Sequence, residues 1–391
     1  MLERRTLGDI PKKPHTLFTF RGKKQFEFVF TRDGFGGRFS IIYGETPPTA
    51  IDSIKLAPGN YQHLIGEVTK ARKMPIARRH LKSGQLSASM GYLNSRRALF
   101  RSVDCRLSVV RGNALASDLP FSNGDSDELL FITQGQGQLL TMFGALPYQE
   151  HDYILIPKGV PYVLEHQGFL EALVMESSSY IEVPQEFFNP MGQLRLEAPY
   201  SHRDFRSPTR LLEQAEKERF RTILALRHDI VSEHHYSTLP VETVGWDGSV
   251  YPLAFSIDDY IPKTGKIHLP PNLHLTFRAK DFVVCSFVPR KVDYMEGAIP
   301  CPYPHANVSC DEIIYYVSGD FTSRKGIEGK SISFHPAGLP HGPQPGKYFE
   351  SIGSETTNEK AVMVDTWNPL FITDLGLDVE EGTYPLSWQQ P

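Results

Sequence analysis

Cysteine is scarce in this chain: there are four, Cys105, Cys285, Cys301 and Cys310, and no two stand in CxxC spacing. All four can sit reduced in the cytoplasm, where the chain is expected. Long apolar runs are missing too. None approaches the roughly 20 residues of a membrane helix, and the opening MLERRTLGDIPKK has no apolar signal core. Charge of one sign is also lacking. A formal net charge of −4 gives no overall field that would draw nucleic acid or acidic lipid, so neither is expected as a partner. One basic stretch, residues 71–84 (ARKMPIARRHLKSG), reads as a solvated surface loop or edge. No glycine-rich phosphate loop follows a strand and no GxSxG elbow occurs, so nucleotide binding and serine hydrolysis have no support.

Aromatic residues, glycine and proline are plentiful instead. With 24 Phe, 17 Tyr and 40% hydrophobic residues in 391, the chain can fill the cores of two ordinary domains. Its 31 Gly and 30 Pro are spread along the length, as turns between many short strands would be. Apolar or alternating runs such as RLSVVRG, DELLFITQG, DYILIPKG, DFVVCSFVP, EIIYYVSGDF and KAVMVDTW predict strands, and the shorter KIHLP is placed with them. SPTRLLEQAEKER breaks this rhythm and predicts a helix from near residue 208. The expected fold is mainly β, in two units, residues 1–200 and 201–391, with a C-terminal arm lying over the body.

The two halves share a sentence. PFSNGDSDELLFITQG, residues 120–135, aligns without a gap on PHANVSCDEIIYYVSG, residues 304–319, and PKGVPY, 157–162, matches PAGLPH, 336–341. The shared frame puts Phe121 opposite His305, Glu128 opposite Glu312 and Tyr162 opposite His341. The second copy, His305, Asn307, Glu312, Gly319, Pro336, Gly338 and His341, resembles the two motifs of the cupin β-barrel, HxHx4Ex6G and PxGxxH, with Asn307 at the second His. On that resemblance His305, Glu312 and His341 converge inside the second barrel as metal ligands, while the first barrel is an empty copy. Two imidazoles and a carboxylate form the set associated with non-haem iron(II); zinc, manganese, nickel or copper also suit it.

A closer resemblance is to the homogentisate 1,2-dioxygenase family. It rests on DFVVCSFVPRK, PYPHANVSCDEIIYYVSGDF, SISFHPAGLPHGP, VGWDGSVYP and TRDGFGGRFSIIYGETPPT, and is strongest over residues 240–350. It implies an Fe(2+)-dependent, extradiol-type ring-cleaving dioxygenase that opens a para-dihydroxylated aromatic acid, homogentisate first, in aromatic amino-acid catabolism. Its partners are then a small aromatic substrate and oxygen, and the family's habit implies a homo-oligomer. Asp247 stands where the family has a proton-handling His, Phe321 where it has a substrate-facing Tyr, and His335 six residues before the last ligand. Asp247 and His335 are thus candidate catalytic residues, and Asn307, Tyr315 and Phe321 candidate pocket residues. Gentisate or another hydroquinone is the alternative substrate, and a non-catalytic binding protein the alternative class.

Overall fold

The computed structural model describes residues 3–115, 118–269 and 271–389. Strands dominate, because the apolar runs are rich in β-branched and aromatic side chains and are closed by glycines that only a turn accommodates. The two glycines shared by the duplicated frame show this directly. Gly135 and Gly319 close the strands Asp127–Gln134 and Asp311–Ser318 with φ of 107° and 99°. A side chain at Gly319 would also collide with the Asn358 carbonyl.

Two large sheets enclose the first core. One has nine strands, running in space Phe205–Arg206, Leu253–Ser256, Asp152–Ile156, Asp127–Gln134, Phe169–Ser177, Cys105–Asn113, Arg96–Arg101 and Phe371–Ile372, with Ser89–Met90 beside Cys105–Asn113. The other has seven: Gly144–Tyr148, Gly137–Thr141, Tyr162–His166, Phe121–Asn123, Thr222–Arg227, Ile230–His235 and Ser53–Leu56. Strands between residues 205 and 256 therefore hydrogen-bond to strands of the first half, and the sheets interleave across residue 200. The second core is built on six strands in the order Leu275–Arg278, Phe282–Phe287, Lys360–Thr366, Asp311–Ser318, Ile332–His335 and Arg79–Leu81. The basic stretch thus supplies an edge strand rather than a solvated loop. Arg79 and His80 are buried, and Arg79 meets Glu380 at 2.5 Å.

The halves share one continuous apolar core. Across it Tyr153 donates to or accepts from Ser286 at 2.8 Å, Thr133 and Tyr315 do the same at 3.0 Å, and the rings of Phe100 and Phe334 lie 5.4 Å apart. The strand Asp311–Ser318 is covered on both faces: Ile313, Tyr315 and Val317 pack into this shared core, while Glu312, Ile314 and Tyr316 face the second cavity. That is the period of two expected of a strand.

Two local expectations fail for the same physical reason, that tertiary pairing overrides local propensity. The helix begins only at Gln214, since Arg210 is held extended by Ala145, whose N–H reaches the Arg210 carbonyl at 2.9 Å. Lys266–Leu269 is irregular rather than a strand. The C-terminal arm does lie over the body, burying Tyr384. Among the described residues no helix is long and apolar enough to cross a membrane.

Buried histidines make stability depend on pH. Burial lowers both His80 and His274 to about 4, against 6.5 in an exposed state. Between these values the unfolded chain binds more protons than the folded one, so stability is full above about pH 6.5 and is lost as pH falls toward 4. Each contributes on the order of 2 kcal/mol. Urea unfolding from pH 7 to 4.5 should show a falling midpoint, and His80→Gln should flatten that slope.

Candidate metal centre

His305 and His341 sit opposite each other in an isolated antiparallel bridge, each backbone N–H donating to the other's carbonyl at 2.8 Å. His305 and Asn307 lie outside any extended strand, and this two-residue bridge alone carries His305. Glu312 comes from the strand Asp311–Ser318 and points between the two rings. One ligand atom from each of the three lies within 4.8 Å of the others. His305 Nε2 is 3.9 Å and His341 Nε2 3.6 Å from the Glu312 carboxylate, and the ring centroids are 4.4 Å apart.

Hydrogen bonds behind the rings decide which nitrogens are free. His305 Nδ1 lies 3.2 Å from the Tyr303 carbonyl and His341 Nδ1 3.0 Å from the Leu339 carbonyl. A carbonyl only accepts, so each Nδ1 carries the proton and each Nε2 keeps its lone pair. His341 Nε2 is buried with no hydrogen-bond partner. Two inward lone pairs, one of them orphaned, beside a carboxylate are what a divalent cation satisfies, so these residues fit a metal. Burial opposes ionisation of Glu312, but the 2.6 Å hydrogen bond from His335 and the neighbouring His341 ring outweigh it and hold its carboxyl well below the usual range.

The turn carrying His341 is anchored by a device present in both halves. Asp311 accepts from the Ala337 N–H at 2.7 Å and the Leu370 N–H at 2.6 Å. Its counterpart Asp127 accepts from Lys158 N–H at 2.8 Å and Ile181 N–H at 3.0 Å. Asp311→Ala should therefore loosen His341 and cut metal affinity roughly 10–100-fold while keeping the three ligands. Competition against a chelator measures this.

Of the residues singled out from the sequence, the structure brings together His305, Glu312, His341 and His335. His335 is fully buried; its Nδ1–H donates to Glu312 at 2.6 Å, its Nε2 faces the Tyr384 hydroxyl at 3.3 Å, and its ring stacks on His341 at 4.4 Å. Burial lowers it to about 4, so it stands neutral behind the carboxylate. Unlike His305 and Glu312, it does not line the cavity beside the trio; its contacts are with Glu312, His341 and Tyr384.

That cavity holds about 150 Å³ and is walled by His305, Glu312, Ile314, Tyr316, His274 and Arg324, among others. The remaining candidates lie elsewhere. Asp247 is in the separate four-stranded sheet with Arg5–Gly8, Phe39–Gly44 and Phe26–Thr31; it pairs with Arg4, and no residue of that sheet lines the cavity. Asn307 lines a different groove with Cys310 and Asp365. Tyr315 is turned to Thr133 by strand alternation, which gives Tyr316 the cavity face. Phe321 packs behind Tyr316, ring centroids 4.7 Å apart, and opens on the outer surface. Arg324, His274 and Tyr384 were not singled out. Arg324 comes from a turn and His274 and Tyr384 from single 3₁₀ turns, too short for their residue pattern to carry a period.

In the first half Phe121 and Tyr162 take the histidine places, their rings 5.9 Å apart. The space is not empty. Arg96 reaches Glu128 at 2.5 Å and Glu176 at 2.8 Å, with Tyr162 donating to Glu128 at 2.8 Å and Asn123 to Glu176 at 2.8 Å. The register sets Glu176 beside Glu128 as it sets Asp365 beside Glu312. A guanidinium supplies here the positive charge for which the second half offers an open ligand set.

Two cupin-type β units, one closed by its own arginine and one presenting two histidines and a glutamate, define a bicupin with a single candidate metal centre among the described residues. The chain belongs to a dioxygenase family and is similar in part to the homogentisate 1,2-dioxygenases. The profile described as "Homogentisate 1,2-dioxygenase N-terminal" matches residues 107–257, a span that, like the sheets, crosses residue 200. A Saccharolobus solfataricus protein provisionally named a dioxygenase is 36% identical over 97% of both chains. Homogentisate 1,2-dioxygenases of Caenorhabditis elegans and Legionella pneumophila are 22% and 28% identical over 68% and 59% of this chain, and 61% and 56% of their own. Among solved structures, a cupin 2 conserved barrel protein from Leptotrichia buccalis (9% identity, 81% of this chain, 97% of its own) and a Bacillus subtilis oxalate decarboxylase (12%, 83% and 88%) give TM-scores of 0.31 and 0.34.

Proposed function

We propose that this dioxygenase-family protein is an iron(II)-dependent enzyme that opens a para-dihydroxylated aromatic acid, with homogentisate giving maleylacetoacetate as the first reaction to test. The observation that supports this best is the pair of imidazoles whose Nδ1–H groups are committed to backbone carbonyls, leaving both Nε2 atoms directed at Glu312. His305, Glu312 and His341 would hold the ion. A ferrous ion bound there would supply the electron exchange with dioxygen that a spin-paired aromatic ring lacks. Three protein ligands would leave open positions for substrate, and His305 and Glu312 line the adjoining cavity.

The chain's own residues prepare the reaction. His335 keeps Glu312 ionised and fixed through its 2.6 Å hydrogen bond, and Tyr384 fixes the His335 tautomer from behind. Ile314, Met363 and Phe287 give the ring an apolar wall and limit water. Tyr316, its hydroxyl 3.0 Å from Ser333, adds a polar edge. We further propose a homo-oligomer and a cytoplasmic protein without nucleic-acid or membrane partners; light scattering tests the subunit number.

An oxygen electrode tests the reaction. After anaerobic loading with iron(II), homogentisate should drive stoichiometric oxygen uptake, faster than gentisate or unsubstituted hydroquinone. Uptake with gentisate alone would move the substrate, and none with any member would overturn the reading.

A further inference from the structure

Arg324 brings a full charge into a cavity whose two carboxyls, Glu312 and Glu359, make no ion pair with it. Its side chain is 6% exposed and lines the same cavity as His305 and Glu312. One guanidinium nitrogen donates to the Gly342 carbonyl at 2.8 Å and more weakly to Ser323, whereas Nε has no partner, and no carboxylate is in ion-pair contact with it among the described residues. A buried guanidinium left in this state is costly, and proteins retain such a group when something binds to it.

The surroundings favour an anion. Arg290 lies on the same wall, and the only hydrogen bond of its guanidinium among the described residues is a 3.3 Å contact with the Lys291 carbonyl. His274, 5% exposed with Nδ1 unpartnered, adds a further donor or acceptor. Glu359 is the wall's opposing carboxyl; burial pushes its pKa up, which weakens it as a counter-charge. The other carboxylate, Glu312, would be committed to the metal. The planar fork of an arginine matches a carboxylate in two parallel hydrogen bonds and gives nothing comparable to an uncharged ester or a hydrogen.

Resting on the reading of this site as a ring-cleaving centre, we propose that Arg324 is the specificity-determining residue: it captures the carboxylate of the aromatic acid, places the dihydroxylated ring against His305 and Glu312, and discriminates against neutral hydroquinones.

The test is binding, so that it does not depend on turnover. Under nitrogen, the full-length iron-loaded protein is titrated calorimetrically with (2,5-dihydroxyphenyl)acetate and with its methyl ester. The acid should bind about 30-fold or more tighter than the ester. Arg324→Met should bring the acid to within about 3-fold of the ester while metal content stays at the wild-type level, and Arg324→Lys should recover part of the preference. Equal binding of acid and ester by the wild-type protein, or failure to bind the acid at all, overturns the assignment without any variant being made. So does an acid preference that survives in Arg324→Met. Preferential acid binding without oxygen uptake in air would leave Arg324 as an acid-binding residue and remove the ring-cleavage reading.

Discussion

Glu312→Ala protein should contain no bound metal and consume no oxygen. The carboxylate is the one negative ligand of the trio and touches both histidine rings' free nitrogens, at 3.9 and 3.6 Å. Without it two neutral imidazoles remain, and affinity should fall by more than the roughly 10–100-fold that loss of an outer partner costs. The same change strips His335 Nδ1–H of its acceptor at full burial, which costs on the order of 1–3 kcal/mol even without metal. Metal analysis and thermal melting of the metal-free proteins separate the two effects. His305→Ala should lose metal with a smaller loss of stability, because His305 is half-exposed and its carboxylate partner keeps His335. A Glu312→Ala protein that keeps one ion per chain would remove this site from the account.

Arg96→Met should be the most destabilising single change in the first half, at about 3–5 kcal/mol. Its guanidinium is 2% exposed and joins Glu128 and Glu176, themselves 1% and 2% exposed. Removing it takes away the cation that bridges two adjacent buried carboxylates, leaving Glu128 the Tyr162 hydrogen bond and Glu176 the Asn123 hydrogen bond and a longer 3.4 Å contact with Arg106. Metal content should not change, since the centre lies in the other half. Adding Glu128→Gln and Glu176→Gln to Arg96→Met should restore much of the loss, as replacing a whole buried ionic group is far cheaper than breaking it. Urea unfolding measures both. A loss under about 1 kcal/mol would show that the arginine is not the group holding this pole together.

What the sequence made legible were features carried by period or by repetition. The strand EIIYYVSG could be read because β-branched and aromatic residues alternate and a glycine ends it. The trio could be read because the duplicated frame kept Glu312 as Glu128 and set His305 and His341 against Phe121 and Tyr162. Contacts between distant segments could not. Arg96 enters the first pole from a strand about 30 residues before Glu128, Tyr384 reaches His335 from the C-terminal arm, and Arg79–Leu81 joins the second sheet from the first half. Tyr315 and Tyr316 were separable only by which face of their strand meets the other half, and that docking is set by Thr133, 182 residues away. Asp247 matched a position in a motif, but its strand belongs to a sheet held by Arg5–Gly8 at the N-terminus, a pairing that no local pattern announces.

Anomalous diffraction at the iron edge from crystals of the anaerobically iron-loaded protein tests the central claim most directly. The account predicts a single strong peak per chain, about 2.0–2.2 Å from Nε2 of His305, Nε2 of His341 and a carboxylate oxygen of Glu312, with none near Arg96. A peak elsewhere, or none between these three side chains in protein that retains iron, would contradict it.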